Sequence, residues 1–228
     1  MDVVISGLLL GGAYALVAMG LNLQYGVARI MNLANGELLV LGGLAAFWAF
    51  VSFGLSFFLV GIMVSLRAEY FAYSFLATPV QLLGTTVAAN RLVAALIAAA
   101  IAGALYLWLN RSRPGMAVRA VAVSPEAAGL VGIDVDRVSA FAFAIGGAVT
   151  AIGGCLISTF VTLDASAGVI FTMKALIIVI MGGVGDIRGA IIAALILGLV
   201  ETAVASIIDP GLTLVAAYAI FLAVLLFR

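Results

Sequence analysis

A guanidinium, two amides and a carboxylate crowd together in the stretch GVARIMNLANGELLVLGG (26–43), as Arg29, Asn32, Asn35 and Glu37. Without a histidine or a nucleophile beside them, these groups suit non-covalent work. They can hold water, an ion or the polar end of a substrate. They sit at the edge of apolar chain, and polar side chains at membrane depth face a bundle interior or an aqueous cavity. Asn35-Gly36 is a turn signal, since both residue types tolerate left-handed backbone. Two readings stay open. The segment is a short re-entrant or broken element lining a substrate path, or it is an ordinary loop between two spans with Arg29 at the headgroups.

A second acid, Glu201 in LILGLVETAVASII, lies past the middle of the apolar run 189–208. An ionised carboxylate at the centre of a span is expensive, so it must face protein, be protonated or pair with a cation. It reads either as a pore or gate residue or as a buried interhelical hydrogen bond. Lys174, alone among charges in the run 165–181, is its candidate partner.

A third segment is rich in charge. NRSRPGMAVRAVAVSPEAAGLVGIDVDR (110–137) holds Arg111, Arg113, Arg119 and Arg137 with Glu126, Asp134 and Asp136. Within it, Ser124 reads as a helix N-cap, Pro125 as the first helical position and Glu126 as a first-turn acid. Gly132 is the expected stop. The product is a helix of about two turns with a small, alanine-lined face that suits docking into a groove, or else a plain surface linker.

Absences narrow the chemistry. The sequence contains no histidine, which removes the commonest general base and metal ligand. The single cysteine, Cys155, supports neither an internal disulfide nor a cysteine-rich metal site and is expected to be packed in lipid or core. Lys174 follows Met173, so the lysine of a phosphate loop is missing. GVGDIRG (183–189) is a poor dinucleotide fingerprint, with its third glycine one position late. No metal site, no bound cofactor and no enzymatic role are expected, and a net charge of zero gives no reason to expect nucleic acid.

These residues must be positioned by membrane helices. Of 228 residues, 66% are hydrophobic and 9% charged, with a mean hydropathy of +1.36; soluble domains run at roughly 45–50% apolar and about 25% charged. Charge-free or nearly charge-free runs cover 3–23, 38–66, 92–109, 138–163, 165–181, 189–208 and 211–227. The run 38–66 would be about 44 Å of helix against a hydrocarbon core of roughly 30 Å, so a break near SFGLS (52–56) is expected. Residues 70–90, with Pro79 and Gln81, form a weaker candidate span. The fold expected is an all-α polytopic bundle of about eight transmembrane helices, a single domain over 1–228 with a cytoplasmic loop at about 110–137. Uninterrupted apolar runs lack the alternation of a membrane barrel. The paired glycines, among them Gly11-Gly12, Gly42-Gly43 and Gly153-Gly154, read as sites of close helix packing. The first apolar stretch, with no basic residue ahead of it, reads as an uncleaved span. Basic residues put 110–137, 182–189 and Arg228 inside, with the N-terminus, Asp164 and Asp209 outside.

EAAGLVG (126–132) resembles the E-A-A-x-x-x-G loop of ABC-importer permeases. GLLLGGAYALVAMGLNLQYGVARIMNLANGELLVLGG, RPGMAVRAVAVSPEAAGLVGIDVDRV and IIVIMGGVGDIRGAIIAALILGLVE resemble the corresponding parts of the branched-chain amino acid, Liv-type, permeases. The N-L-A-x-G-E run (32–37) is more similar to the H-type than to the M-type of the paired permeases. The resemblance covers roughly 1–50 and 90–228. Asn35 stands where that family usually carries histidine, and the region from about 50 to 92 is shorter than the family pattern.

The resemblance implies the permease subunit of an ATP-driven importer in the inner or plasma membrane of a prokaryote. Its implied partners are a second, M-type permease, two cytoplasmic ATPase subunits, an external substrate-binding protein and the lipid bilayer. Glu126, Ala127, Ala128 and Gly132 would couple to the ATPase; Asn32, Asn35, Glu37 and Glu201 are candidates for the translocation path. Leucine, isoleucine or valine is the expected cargo. Urea, short amides or another amino acid in the same machine is the alternative, and a stand-alone carrier or channel using Glu37 and Glu201 is the alternative of a different class.

Overall fold

The computed structural model describes residues 2–53, 79–82, 85–161 and 167–227. Helix α1 (Asp2–Ala28) runs through the middle of the bundle, and every residue from Ala13 to Gln24 is buried. A helix that is apolar on all sides is stable only when surrounded, and α1 is enclosed by α3 (Ala89–Arg111), α6 (Val135–Ile157), α7 (Ala167–Gly182) and α8 (Ile187–Ile207). Helix α2 (Asn35–Phe53) packs on α6 and α7, and α9 (Thr213–Phe227) packs on α7 and α8.

Lipid offers little hydrophobic drive for helices to associate, so tight van der Waals contact between small residues carries the packing. Gly7 and Gly11 of α1, four apart, meet Ala194 and Gly198 of α8, also four apart. A Cβ on Gly11 would stand 2.8 Å from the Ala194 carbonyl oxygen. On the far side of α1, Gly20 lies against Gly146 and Thr150 of α6, and Gly42 of α2 lies against Ala151. Helix α3 lays the stripe Ala94, Ala98, Ala102, Leu105 and Leu109 onto this core. Cys155 is buried in it, as expected.

Between α3 and α6 the charged segment forms two short helices, α4 (Arg113–Val123) and α5 (Pro125–Leu130). Each start is capped by the residue before it. Ser112 accepts from the Gly115 amide at 3.0 Å, Ser124 from the Ala127 amide at 3.2 Å, and Asp134 from the Arg137 amide at 3.1 Å. Gly132 ends the loop helix with φ +83°, as the stop signal predicts. Helix α4 was not foreseen. It buries Gly115, Val118 and Val121 at a helical spacing of three and turns its arginines outward.

One expected span departs from helix where it is described, at 79–82 and 85–88. The described part of 70–90 is an antiparallel hairpin, β1 (Pro79–Leu82) with β2 (Thr85–Ala88), pairing Val80 with Val87 and Gln81 with Thr86. Pro79 sits at a strand start, where it loses no ladder bond, and Thr85, Thr86 and Val87 are β-branched residues that favour strand. Among the described residues, seven helices carry the apolar sequence. Four of them, α1, α3, α6 and α8, are long and apolar enough to cross a membrane. The chain is a multi-pass, all-α membrane bundle with one small hairpin. Asp164, Arg228 and the expected break beyond Phe53 lie outside the described residues.

The ends of the bundle differ in charge. Arg29 shares a cavity with Pro125 and Asp136, and Arg119 shares another with Asp186 and Arg188. Those residues form one end of the bundle, the one that carries the arginine-rich loop. The N-terminal turns of α1, Arg91 of α3 and Thr213 of α9 line a cavity at the other.

Candidate functional site

The sequence GVARIMNLANGE folds back on the helix it has just left. Arg29 has φ +55°, the left-handed conformation that turns the chain, and residues 29–34 are not helical. Asn32 then donates to Gln24 Oε1 at 3.2 Å, while Gln24 donates to the Phe143 carbonyl at 3.3 Å. Asn35 accepts from Thr150 Oγ1 at 2.9 Å, and Thr150 faces Gly20. Gly20 lies eight residues before the end of α1, about 12 Å along the helix. The chain has thus climbed two turns back into the bundle before α2 begins. Of the two readings of this stretch, its path is the re-entrant one.

Such a helix start buries amide groups that need partners. Thr172 of α7 supplies one, accepting from the Gly36 amide at 2.7 Å and donating to the Gly168 carbonyl at 3.0 Å. Asn35 is fully buried, and its Nδ2 has no hydrogen-bond partner among the described residues. Glu37, one turn of helix from Leu41, is exposed together with Leu41 and with Leu33 just before the helix. An exposed carboxylate this far from the turn at Arg29 belongs against water or another polypeptide. Replacing Thr150 with valine leaves Asn35 Oδ1 buried and unpaired. It should lower the stability of the folded chain by about 1–3 kcal/mol, read as a lower thermal midpoint in detergent.

Across α1 lies the second polar site. Glu201 is 3% exposed and pairs with Lys174 at 2.9 Å, as the isolated lysine suggested. Tyr14 of α1 donates to the same carboxylate oxygen at 2.9 Å and accepts from Lys174 Nζ at 2.9 Å. The ammonium also stands 5.0 Å from the Tyr14 ring centroid and 5.8 Å from that of Phe171. Three helices, α1, α7 and α8, are thereby tied at one point. The other oxygen, Glu201 Oε1, has no partner among the described residues. Glu201 also lines a cavity of about 250 Å³ at the end of the bundle away from the arginine-rich loop.

Asn32, Asn35 and Glu37 are thus gathered on one side of α1, and Glu201 is held apart on another. Helix α7 touches both groups, with Thr172 in one and Lys174 in the other. Tyr14, Gln24, Thr150 and Thr172 were missed. Each is a single hydroxyl or amide in an apolar run, and the charge beside Thr172, Lys174, pointed to Glu201 instead. Asn22 was missed as well. It clamps the 183–186 turn, accepting from the Gly185 amide at 2.6 Å and donating to the Asp186 carbonyl at 2.9 Å. That turn, with Gly183 and Gly185 at positive φ, is a pinned connection between α7 and α8.

The loop helix α5 divides the four residues predicted for it. Glu126, Ala127 and Gly132 point outward, whereas Ala128 is buried in the core cluster that also contains Leu109 and Val121. Ala128 therefore anchors the helix to its own bundle and is no part of the exposed face. That face gains two residues without a sequence signal, Leu130 at 90% and Val131 at 76% exposure.

Residues 67–227 match the family described as branched-chain amino acid transport system, permease component. The high-affinity branched-chain amino acid transport system permease protein LivH of Escherichia coli K12 is 27% identical over 284 residues, covering 97% of this chain and 91% of that protein. BraD of Pseudomonas aeruginosa, a permease protein of the same description, is 25% identical, with 98% and 92% covered. The fructose import permease protein FrcC of Rhizobium meliloti is 34% identical over 101 residues, 40% of this chain and 28% of that protein. The alignment with LivH is longer than the whole 228-residue chain, so LivH carries internal residues that this chain lacks. No solved structure matches.

Proposed function

The chain belongs to the branched-chain amino acid transport permease family, a transporter component and not itself an enzyme, and from that membership we propose that it is the membrane subunit of an ATP-driven importer of leucine, isoleucine or valine. The machine has a second, M-type permease across the translocation path, two ATPase subunits on the cytoplasmic face and a substrate-binding protein outside, in the inner membrane of a prokaryote. This chain binds no cofactor of its own and leaves ATP hydrolysis to the ATPase subunits.

The observation that carries the reading is the posture of α5. It is fixed to the bundle through Ala128 and through caps at Ser124 and Asp134, and it offers Glu126, Ala127, Leu130 and Val131 to a partner. A force on that face reaches α4 and α6, the two helices against which α5 packs. Nucleotide binding on the ATPase acts by favouring one arrangement of the bundle over another, which requires contacts that differ between the two. The path itself is assigned to the re-entrant side, with Asn32, Asn35 and Glu37 along it.

LivH and BraD are named for branched-chain amino acids, and the fructose relative shares only 40% of the chain. Urea, amides or other amino acids in the same machine remain the second reading, and the external binding protein decides between them. The test is to purify the chain with its associated subunits in lipid and measure ATP hydrolysis with and without loaded binding protein. Hydrolysis stimulated by leucine-loaded binding protein, and not by the urea-loaded form, is the expected result. Recovery of the chain alone, moving substrate without ATP, would overturn it in favour of a carrier or channel.

A further inference from the structure

Two arginines from different helices share one cavity at the end of the bundle that carries the arginine-rich loop. The cavity measures about 230 Å³ and is lined by Tyr106 and Asn110 of α3, Arg119 of α4, and Asp186 and Arg188 at the start of α8. Each arginine is held by a residue of α3. Arg119 donates to Asn110 Oδ1 at 2.8 Å, and Asn110 donates in turn to the Tyr106 carbonyl at 2.8 Å. Arg188 donates to the Tyr106 hydroxyl, with its guanidinium carbon 5.0 Å from the centroid of that ring. Tyr106 and Asn110, one helical turn apart, therefore fix both cations at neighbouring places.

Like charges held this way repel one another unless an anion stands with them. Neither arginine makes an ion pair among the described residues, where Arg137 and Lys174 are the cations that do. The one acid in the lining, Asp186, caps α8, its Oδ1 accepting from the Arg188 amide at 2.9 Å. Arg111 and Arg113, at the junction of α3 with α4, add two more exposed cations without an ion pair among the described residues.

Depth selects the anion. Helices α3 and α8 are each long and apolar enough to cross a membrane, so the last turns of one and the first turn of the other stand at headgroup level. Below Arg188, at steps of four along the same face of α8, lie Ile192 and Ile196, 59% and 44% exposed. Below Tyr106, α3 exposes Gly103, Ala99 and Leu96, a low surface of small side chains ending in a large one.

We propose that this cavity binds the headgroup of an acidic phospholipid, its phosphodiester between Arg119 and Arg188 and its acyl chains over Ile192, Ile196 and the small face of α3. A guanidinium fork matches two phosphate oxygens at once. Tyrosine is at home at the membrane boundary, and basic pockets between membrane helices take such headgroups. A free phosphate meets the same two arginines but gains nothing from the isoleucines. An acidic protein surface does not follow the apolar stripes into hydrocarbon. Once bound, the lipid ties α8 to α4, the helix from which α5 continues.

The experiment equilibrates the full chain, with its co-purifying subunits, in mild detergent with equal amounts of phosphatidylglycerol and phosphatidylcholine. Native mass spectrometry counts the lipids that stay bound. Wild type should retain phosphatidylglycerol over phosphatidylcholine by about tenfold, the scale of a charge-assisted contact. Arg119→Gln and Arg188→Gln, both at exposed positions, should each weaken that retention by about tenfold. Arg137→Gln removes a loop arginine outside the cavity and should leave it unchanged. Excess inorganic phosphate should not displace the lipid.

Equal retention of the two lipids by wild type overturns the inference, as does equal phosphatidylglycerol on wild type and on the Arg119→Gln/Arg188→Gln protein. A loss just as large from Arg137→Gln also overturns it, marking diffuse surface charge. Displacement by phosphate makes the cavity a free-anion site. Loss of the ATPase subunits from the double variant, with lipid retention intact, assigns the arginines to a protein contact. The measurement involves neither cargo nor ATP, so its failure leaves the importer reading standing, and failure of that reading leaves a bound lipid in place.

Discussion

Lys174→Met should destabilise the folded chain by about 3–5 kcal/mol, the cost of leaving one member of a buried ion pair without its partner. Glu201 would remain 3% exposed with only Tyr14 to donate to it. The double variant Lys174→Met/Glu201→Gln removes both charges and should recover most of the loss, since a neutral amide still accepts from Tyr14. Thermal unfolding in detergent, followed by tryptophan fluorescence, separates the variants. Glu201→Gln alone should fold and alter transport, whereas Glu201→Lys sets two cations side by side and should block assembly. A Lys174→Met protein as stable as wild type would show that the pair is not the tie between α1, α7 and α8. Deletion of the charge at either position would then be a matter of transport alone.

How much of this was legible depends on what each residue leaves in the chain around it. Glu201 and Lys174 stood out because a single charge in an apolar run is costly enough to demand an explanation, and pairing the two was the simplest one. Tyr14 completes the site and left no trace, because a tyrosine is ordinary in an apolar helix. Asn35-Gly36 read as a turn, but both open α2, and the left-handed residue that turns the chain is Arg29. That the chain climbs back beside α1 depends on Gln24, Thr150 and Thr172, which lie far apart in sequence and meet only through helix packing.

The cap signals were sufficient for α5, where Ser124, Pro125 and Glu126 stand in order. The same signal, Ser112 followed by Pro114, opens α4 and went unread under the density of arginines. Residues 70–90 misled in the other direction. Their hydrophobicity suggested a span, while Thr85, Thr86 and Val87 favoured extended backbone, and in the described residues 79–82 and 85–88 the local preference prevailed. Which face of a six-residue helix looks outward is set by its anchor, and Ala128 became an anchor only through its neighbours in space.

That division of faces yields the prediction with the clearest separation of folding from function. Leu130 and Val131 are 90% and 76% exposed and touch no core, so Leu130→Asp and Val131→Asp should leave insertion, thermal stability and association with the second permease unchanged. If the ATPase grips α5, an aspartate there must be desolvated against an apolar pocket. Central apolar anchors of interfaces contribute about 2 kcal/mol or more each when truncated, and a buried unpaired charge adds to the penalty. Affinity for the ATPase should therefore fall by about thirtyfold or more at 1.4 kcal/mol per tenfold, and substrate-stimulated ATP hydrolysis should be lost.

Ala128→Leu provides the contrast. It enlarges a side chain that is buried in the core cluster, so its effect should appear first in stability, at about 1–3 kcal/mol for overpacking, and in coupling only as a consequence. The measurement is co-purification of ATPase with each variant together with the stimulated hydrolysis rate. Full coupling in a Leu130→Asp/Val131→Asp protein would remove α5 as the point of grip, because no groove that closes on this helix can avoid both side chains.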